Sequence, residues 1–306
     1  MNDKISIVLA CCQTFNRANT LSRVDDTIKS IAAQTHKNFE CIVVSDVDIK
    51  TQKDKRFTSI KLPGKNISEL FNAGLRAATG EYIMFMFSNE FLTPSALDVL
   101  LHNAKMYNAQ VVSGSANLNA PEDFTMISGD NISPYGPTGY FNGSHEYMRH
   151  NPQFCSMLSA KLFRKDIVTN ALFFADLSAY SASAFTLYIL HRNPKVLELY
   201  TTTHYIMPYK DMDPDNPSAK DLSDFTDGIE RVINILQQKF PSDIDHAIVP
   251  GFAHTLFIHY LNMYTDKHKL PADVRRKLWK FWRSETDVSQ YFTNEQRRSI
   301  WWKLFW

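Results

Sequence analysis

Three short polar segments follow strand-like apolar runs, and their side chains are the first candidates for chemistry. They are residues 13–17, 45–48 and 88–93. Asp46 and Glu90 bring carboxylates to these segments, and their neighbours bring hydroxyl, amide and guanidinium groups. In parallel α/β sheets, ligands bind in the crevice beyond the carboxyl ends of the strands. The sequence therefore predicts a ligand site where these three segments meet.

The elements that must position these segments alternate between strand and helix. The apolar spacing predicts strands at 5–10, 39–44, 57–62, 81–87 and 110–113, and helices at 21–34, 68–78 and 95–108. Buried strands that alternate with helices predict a mostly parallel α/β sheet with helices on both faces. Further along the chain, the pattern predicts a strand at 195–200.

Two polar stretches and one change of pattern divide the rest of the chain. Residues 120–148 are rich in Gly, Pro, Asn and Ser, which is typical of a long functional loop. Residues 209–222 include a cluster of aspartates and predict either a lid or a solvated loop; the cluster consists of Asp211, Asp213 and Asp215. From residue 224 the pattern is helical to the end, so we expect an α/β domain at 1–223 and a helical region at 224–306.

Five segments stand in an order and spacing that match a known family. They are Thr14-Phe15-Asn16-Arg17, the stretch from Ser30 through Gln34-Thr35 to Asn38-Phe39-Glu40, Val43-Val44-Ser45-Asp46, Phe71-Asn72-Ala73-Gly74 with Ala78-Thr79-Gly80-Glu81-Tyr82, and Leu162-Phe163-Arg164. In this order they resemble the family-2 glycosyltransferases, which have the GT-A fold. The resemblance covers roughly the first two thirds of the chain and implies a Rossmann-like sheet with helices on both faces.

The resemblance implies transfer of a hexosyl group from a nucleoside-diphosphate sugar, with UDP-sugars favoured, to a glycan or lipid-linked acceptor. The acceptor hydroxyl attacks the anomeric carbon with inversion, in the synthesis of cell-surface polysaccharides or glycolipids. Removal of the acceptor proton by a general base and stabilisation of the leaving diphosphate lower the barrier. By the same resemblance, five residues would bind the nucleotide: Thr14, Asn16, Arg17, Asp46 and Asn72.

At the diphosphate site the sequence departs from the family pattern. The family's Asp-x-Asp motif holds Mn²⁺ or Mg²⁺ through carboxylate oxygens. Here the corresponding strand leads into Phe87-Ser88-Asn89-Glu90, so a phenyl ring and an amide replace the paired carboxylates. Asn89 and Glu90 are the local oxygen ligands that remain for a diphosphate-bound metal, and the substitutions argue against metal binding.

The position of the catalytic base departs from the pattern as well. The family places a carboxylate before a helix in the second half of the domain, and the matching helix here is 185–190. Ser181-Ala182-Ser183-Ala184 precedes it without a carboxylate, which leaves Asp176 as the nearest candidate base. Two hypotheses therefore stand: an active transferase, and a degenerate one that serves as a non-catalytic partner or scaffold of an active enzyme.

Each candidate residue also has an interpretation without function. Asp46 and Asp176 would then be surface carboxylates, and residues 14–17 would only form a turn. Asn72 would be a solvated helix position, and Asn89 and Glu90 would belong to a loop that has lost its function. These interpretations make different predictions about burial and hydrogen bonding at each position.

The charge is distributed unevenly along the chain. Lys and Arg number 33 against 32 Asp and Glu, but residues 267–306 hold ten Lys or Arg, four Asp or Glu and all five Trp.

The spacing in residues 267–306 predicts two basic amphipathic helices that dock on a membrane surface or a protein partner. The docking candidates are Trp279, Trp282, Arg276, Trp301 and Trp302. The alternative is that both helices pack on the α/β domain or on another subunit. No nucleic-acid-binding signature accompanies them.

Composition excludes several classes of protein. A chain of 306 residues with 44% hydrophobic and 13% aromatic residues can bury a full core and is neither disordered nor collagen-like. Four cysteines without a CxxC pair indicate reduced thiols rather than a metal or disulfide site. The short apolar stretch before Cys11 indicates a strand rather than a signal peptide, and no apolar run is long enough to cross a bilayer. We therefore expect a cytoplasmic protein, peripheral at the inner face of the membrane if the C-terminal helices dock there.

Overall fold

The computed structural model describes residues 3–13, 21, 23–51, 53–117, 139–150, 157–175, 181–206, 226, 230–231, 234, 271–283 and 292–305. The strands in these ranges are β1 (Ile5–Cys11), β2 (Phe39–Ser45), β3 (Phe57–Lys61), β4 (Tyr82–Phe87), β5 (Glu90–Leu92), β6 (Val111–Asn117), β7 (Gly139–Phe141), β8 (Lys161–Arg164) and β9 (Val196–Ile206). The helices are α1 (Val24–Ala32), α2 (Ile67–Ala77), α3 (Ala96–Met106), α4 (Ser144–His150), α5 (Lys165–Val168), α6 (Ser181–His191), α7 (Ala272–Trp282) and α8 (Asn294–Phe305).

The strands form one mixed sheet in the order β3-β2-β1-β4-β8-β6-β9-β5, with β7 paired to β9. Strands β1 to β4 are parallel, as their apolar runs predict, because helices cover both faces of a parallel sheet. Strand β8 is antiparallel to β4 and β6, and β5 and β7 are antiparallel to β9. The expectation of a mostly parallel sheet therefore holds for the first half of the fold, and the second half makes the sheet mixed.

Helices cover both faces of the sheet, and the side chains of β1 alternate between them. Val8 and Ala10 belong to the core beneath α2, α6 and α7. Ile5, Ile7 and Leu9 belong to the core beneath α1 and α3. Because β1 is buried on both faces, the polar residues that follow it are held at a fixed edge of the sheet.

Helix α2 approaches β1 closely because it carries a glycine at the contact. A Cβ atom at Gly74 would lie 2.2 Å from Cγ1 of Val8, which is far inside van der Waals contact. The helix begins with a capping box at Asn66. The Asn66 side chain accepts a hydrogen bond from the Glu69 N–H at 3.1 Å, and the Glu69 carboxylate accepts one from the Asn66 N–H at 3.0 Å. The expected N-cap, Ser68, lies inside the first turn instead and is buried.

The C-terminal helices pack against the rest of the chain. Val274, Leu278 and Phe281 of α7 belong to the core that lies beneath α2 and α6. Helix α8 begins with the expected capping box, in which Thr293 Oγ1 accepts a hydrogen bond from the Gln296 N–H at 3.2 Å. The apolar faces that the sequence assigns to a membrane or a partner are therefore partly used inside the molecule.

Several expectations concern residues outside the described ranges. The aspartate-rich stretch 209–222, the domain boundary near 224 and most of the loop at 120–148 fall there. The described end of that loop forms β7 and α4. Cys11, Cys12 and Cys41 are buried free thiols, in agreement with the cysteine spacing. Within the described ranges, every helix is too short or too polar to cross a bilayer.

Candidate functional site

The three polar segments singled out in the sequence begin at one edge of the sheet. Strand β1 pairs with β2 on one side, where Cys11 lies opposite Ser45. It pairs with β4 on the other side, where Ala10 lies opposite Phe87. The strand order changes direction at β1, because β2 and β3 lie to one side and β4 to the other. The prediction of a shared edge at a topological switch point is confirmed.

Asp46 follows the end of β2 and bonds to the backbone that follows β1. Its two carboxylate oxygens accept the backbone N–H of Gln13 at 3.0 and 3.1 Å. The Cys12 thiol also lies 3.9 Å from the carboxylate. Asp46 is half-buried rather than an exposed strand end. Its carboxylate thus fixes the backbone immediately before residue 14, where Thr14, Asn16 and Arg17 follow outside the described residues.

Asn72 is locked to the backbone of a distant segment. Its Nδ2 donates to the Phe173 carbonyl at 2.9 Å, and its Oδ1 accepts the Phe173 N–H at 2.7 Å. The side chain is buried in the core beneath α2, so the idea of a solvated helix position is wrong. These two hydrogen bonds give Asn72 a structural role, and its contact with a nucleotide stays a prediction.

The N-cap asparagine of α2, Asn66, brings the segment before Asp176 to the same edge. The Asn66 Nδ2 donates to the carbonyl of Ala175 at 2.7 Å. The preceding residue, Lys65, contacts the end of β1, since its carbonyl lies 3.8 Å from the Cys12 thiol. Asp176 itself lies outside the described residues, but it follows a residue that is anchored beside β1. Sequence reasoning missed Asn66 because its partner is more than a hundred residues away.

Phe87 fills the first position of the expected Asp-x-Asp motif with an aromatic contact. Its ring meets Phe71 of α2 edge to face at 5.2 Å. Ser88 and Asn89 are buried, and the Ser88 carbonyl accepts a hydrogen bond from Thr27 of α1 at 2.8 Å. The motif positions therefore hold the turn after β4 against the helices on either side.

Glu90 is a fully buried carboxyl group. Burial raises its pKa to about 8, and this shift is reduced by hydrogen bonds from the Ser159 hydroxyl and the Phe87 backbone. Its Oε2 atom has no hydrogen-bond partner in the described part of the chain. Glu90 is therefore protonated at neutral pH, which the loop-like sequence around it did not indicate.

Two further ionisable residues are buried on the neighbouring strands. His204 of β9 lies opposite Leu92, diagonally across the strand pair from Glu90. Burial and, second, the charge of Lys161 lower the pKa of His204 to about 3, so the imidazole is neutral. Its Nδ1 lies 2.9 Å from the Thr203 hydroxyl, and its Nε2 has no partner among the described residues. Lys161 of β8 is buried as well.

The described residues do not fit a divalent cation at the diphosphate position. Phe87 cannot ligate, Asn89 offers only a neutral and buried amide, and Glu90 is buried with one carboxyl oxygen bonded to the Ser159 hydroxyl. In the described ranges, no group of three or more His, Cys, Asp or Glu side chains is arranged to hold a metal ion. Hard divalent ions bind best to several ionised oxygen ligands, and the residues described at this edge do not supply them.

The docking candidates divide into exposed and buried residues. Arg276 is exposed and Trp279 is half-buried. Trp301 and Trp302 are 47% and 56% exposed. Trp282 is also a predicted docking residue, but its ring is buried and packs against Phe292, with ring centroids 5.1 Å apart and the planes tilted by 39°. That expectation is wrong for Trp282, because the side chain belongs to the protein's own core.

Comparison with characterised sequences identifies relatives over part of the chain. Poly(ribitol-phosphate) beta-N-acetylglucosaminyltransferase TarP of Staphylococcus aureus is 31% identical over 123 residues, which is 36% of this chain and 36% of TarP. Glycosyltransferase GlyA of Streptococcus pneumoniae is 26% identical over 124 residues, covering 38% of this chain and 17% of GlyA. The matched segments thus span little more than a third of these relatives at most.

Comparison with solved structures supports the fold over nearly the whole chain. Residues 1–349 of S. aureus TarS in complex with UDP superpose with a TM-score of 0.57 at 14% identity, covering 98% of this chain and 91% of TarS. The complex of the same protein with UDP-GlcNAc gives 0.51 at 12% identity, covering 98% and 92%. This likeness confirms the GT-A fold. The sequence profile of Glycosyl transferase family 2 matches residues 10–167, just over half of the chain, so the chain belongs to that family.

Proposed function

We propose that the protein transfers a hexosyl unit from a UDP-sugar to an acceptor in the synthesis of a cell-surface polysaccharide or glycolipid. Membership of the family supports the reaction type. The name of the relative TarP, a poly(ribitol-phosphate) N-acetylglucosaminyltransferase, supports a polymer acceptor and an N-acetylhexosamine donor. The observation that carries the proposal is Asp46, held at the switch point by the backbone of Gln13.

The donor nucleotide would lie over the carboxyl ends of β1 and β2. The half-buried Asp46 carboxylate still has acceptor capacity there, because each oxygen carries more than one lone pair. In this proposal Thr14, Asn16 and Arg17 complete the nucleotide site, since they directly follow the backbone that Asp46 fixes. Arg17 is the cation that we assign to the diphosphate, because the described residues do not fit a metal there.

The transfer exchanges one bond for another at the anomeric carbon. The acceptor oxygen forms its bond from one face while the bond to the diphosphate oxygen breaks on the other, so the configuration inverts. The electron pair leaves with UDP, and the acceptor proton passes to a general base. We assign the base to Asp176, because the residue before it is anchored beside the end of β1 through Asn66.

Calorimetric titration tests the donor site. Wild-type protein should bind UDP and at least one UDP-sugar, with UDP-GlcNAc tested first and GDP- and CDP-sugars as comparison ligands. Asp46→Asn should weaken binding by about tenfold, because a charged acceptor is replaced by a neutral one. Asp166→Asn is the matched control, since the Asp166 side chain is 54% exposed and pairs with Arg164 at 2.7 Å at the opposite edge of the sheet, where Arg164 lies opposite Tyr82 at the start of β4. Absence of binding to every donor would contradict the proposal.

A second function is favoured by a specific observation at the motif. Phe87 and Asn89 stand where paired carboxylates would, and Phe87 packs into the aromatic core. A chain of this kind would act as a non-catalytic partner of an active transferase. A turnover assay separates the two functions. If the wild-type protein transfers sugar from a UDP-sugar to a lipid-linked or polymer acceptor, and Asp176→Asn does not, the non-catalytic partner role is excluded. Co-purification with a second transferase, without turnover of its own, would support it.

A further inference from the structure

Helix α8 exposes two tryptophans side by side. Trp301 is 47% exposed and Trp302 is 56% exposed, and their rings meet edge to face at 6.1 Å. A pair of exposed indoles leaves a large apolar area in contact with water, and such areas commonly mark interaction sites. The outer surface of α8 therefore has the apolar component of a docking surface.

The same face of α8 carries positive charge. Residues four apart on an α-helix lie one above the other, so Arg297 lies beside Trp301, and Arg298 lies beside Trp302. Both arginines are exposed. The four side chains fall within about 140° of the helix circumference, at 3.6 residues per turn. Indole rings and arginine side chains thus share one outward face, and the Arg297 Nε donates a hydrogen bond to the Phe292 carbonyl at 2.9 Å.

The opposite side of α8 fixes the helix to the rest of the chain. Ile300 is buried in the core that also contains Val274 of α7 and Val8 of β1. Just before α8, Phe292 packs on Trp282 with ring centroids 5.1 Å apart. The outward face is therefore mounted on the folded domain and has a fixed orientation.

Helix α7 adds a stripe of positive charge beside α8. Arg276, Lys280 and Arg283 are exposed and are spaced at i, i+4 and i+7, which places them on one side of the helix. The exposed acidic residues Asp273 and Glu295 lie in the first turns of α7 and α8. Glu295 is six residues, or about 9 Å along the axis, from Trp301.

We infer that the outward face of α8, formed by Arg297, Arg298, Trp301 and Trp302, docks on the surface of an anionic lipid bilayer. Two chemistries on one face favour a bilayer: indoles settle at the boundary between headgroups and acyl chains, and arginines pair with lipid phosphates. The charged stripe of α7 adds a long-range attraction to anionic lipid within a Debye length. The inference concerns where the protein works and does not depend on the donor site.

Vesicle co-sedimentation of the full chain tests the docking surface. Wild-type protein should sediment with vesicles of equimolar phosphatidylglycerol and phosphatidylcholine, and much less with pure phosphatidylcholine. The double substitution W301A/W302A should lower the partition coefficient by about tenfold, because both indoles leave the interface. Arg298→Glu should lower it by roughly tenfold on the anionic vesicles and have little effect on neutral ones.

Two control variants separate docking from general effects of apolar area and charge. Tyr200→Ala removes a side chain that is 78% exposed on β9, and Lys55→Glu reverses an exposed charge before β3. Both should bind as the wild type does. Circular dichroism establishes that each variant folds, and Arg298→Glu leaves the core intact because Arg298 is exposed.

Three outcomes would overturn the inference. The first is wild-type protein that does not bind anionic vesicles. The second is a double tryptophan variant that binds them as well as the wild type does. The third is an oligomer, measured by sedimentation velocity, that W301A/W302A dissociates while vesicle binding is absent; the face would then be an interface between copies of the chain.

Discussion

Two glutamates at opposite edges of the sheet, one partly and one fully buried, have pKa values shifted in opposite directions. At the amino edge, the Glu40 carboxylate of β2 accepts hydrogen bonds from the Lys4 ammonium at 2.8 Å and the Ser6 hydroxyl at 2.5 Å. It also accepts two hydrogen bonds from Thr79, from the backbone N–H at 2.7 Å and from the hydroxyl at 2.8 Å. Partial burial works to raise its pKa, but these donors outweigh burial and lower it to about 2. At the carboxyl edge, Glu90 is protonated, and one of its oxygens has no partner among the described residues.

The difference separates the edge that holds the fold from the edge that carries the site. Glu40 connects the start of β1, the start of β2 and the turn before β4, and its negative charge is stabilised by the hydrogen-bond donors there. Glu90 is buried and has an oxygen, Oε2, without a hydrogen-bond partner among the described residues, and burying an unpartnered polar group costs free energy. Proteins tolerate such costs where a function needs them, and here Glu90 stands directly after the turn beside the proposed donor site.

The largest expected effect is the pH dependence of stability that Glu90 causes. Its folded-state pKa of about 8 lies above the unfolded value, so the folded state holds the proton more tightly. Stability from this group is present below about pH 4.5 and declines as the pH rises toward 8. The free energy of unfolding of Glu90→Gln, relative to wild type, should therefore rise by about 3 kcal/mol between pH 5 and pH 8.

Urea unfolding of both proteins at each pH measures this difference. His204 also titrates differently in the folded and unfolded states, but its contribution cancels because both proteins contain it. A relative stability that does not change between pH 5 and pH 8 would show that Glu90 is ionised in the folded protein, and the contrast with Glu40 would be lost.

A somewhat smaller effect of opposite sign is expected for Glu40→Gln. The folded pKa of Glu40 is depressed, so its stabilisation is present above the unfolded pKa and is lost as the pH falls toward 2. At pH 7 the substitution should cost about 2 kcal/mol, because charge-assisted hydrogen bonds become neutral ones. Glu146→Gln on the exposed face of α4 is the matched control and should leave urea unfolding unchanged.

The parallel half of the fold was predictable because its signals are local. Strands β1, β2 and β4 are continuous apolar runs, and the polar residues that follow them meet at one edge by geometry alone. Strand β5 was not foreseen, because three residues that begin with a buried glutamate resemble a loop. Its position depends on pairing with β9, more than a hundred residues away.

The individual site residues were harder to predict for the same reason. Helical spacing places Asn72 on α2, but only the folded chain brings Phe173 to it and assigns both of its hydrogen bonds. Spacing also gives Trp282 and Trp302 the same apolar character, yet one is buried against Phe292 and the other is exposed. Sequence periodicity identifies an apolar face but not what covers it.

The smallest expected effect is that of divalent cations on donor binding. A protonated Glu90 and a Phe87 ring in the aromatic core cannot act as metal ligands. The affinity for UDP should therefore change by less than about twofold when Mn²⁺ or a chelator is added. Asn89→Asp restores one carboxylate of the motif and should make binding more sensitive to Mn²⁺ than in the wild type. Calorimetric titration of both proteins with UDP, in Mn²⁺ and in chelator, compares them directly. Loss of wild-type UDP binding in chelator would mean that a metal ion takes part in donor binding, with ligands from Glu90 after it releases its proton or from residues outside the described ranges.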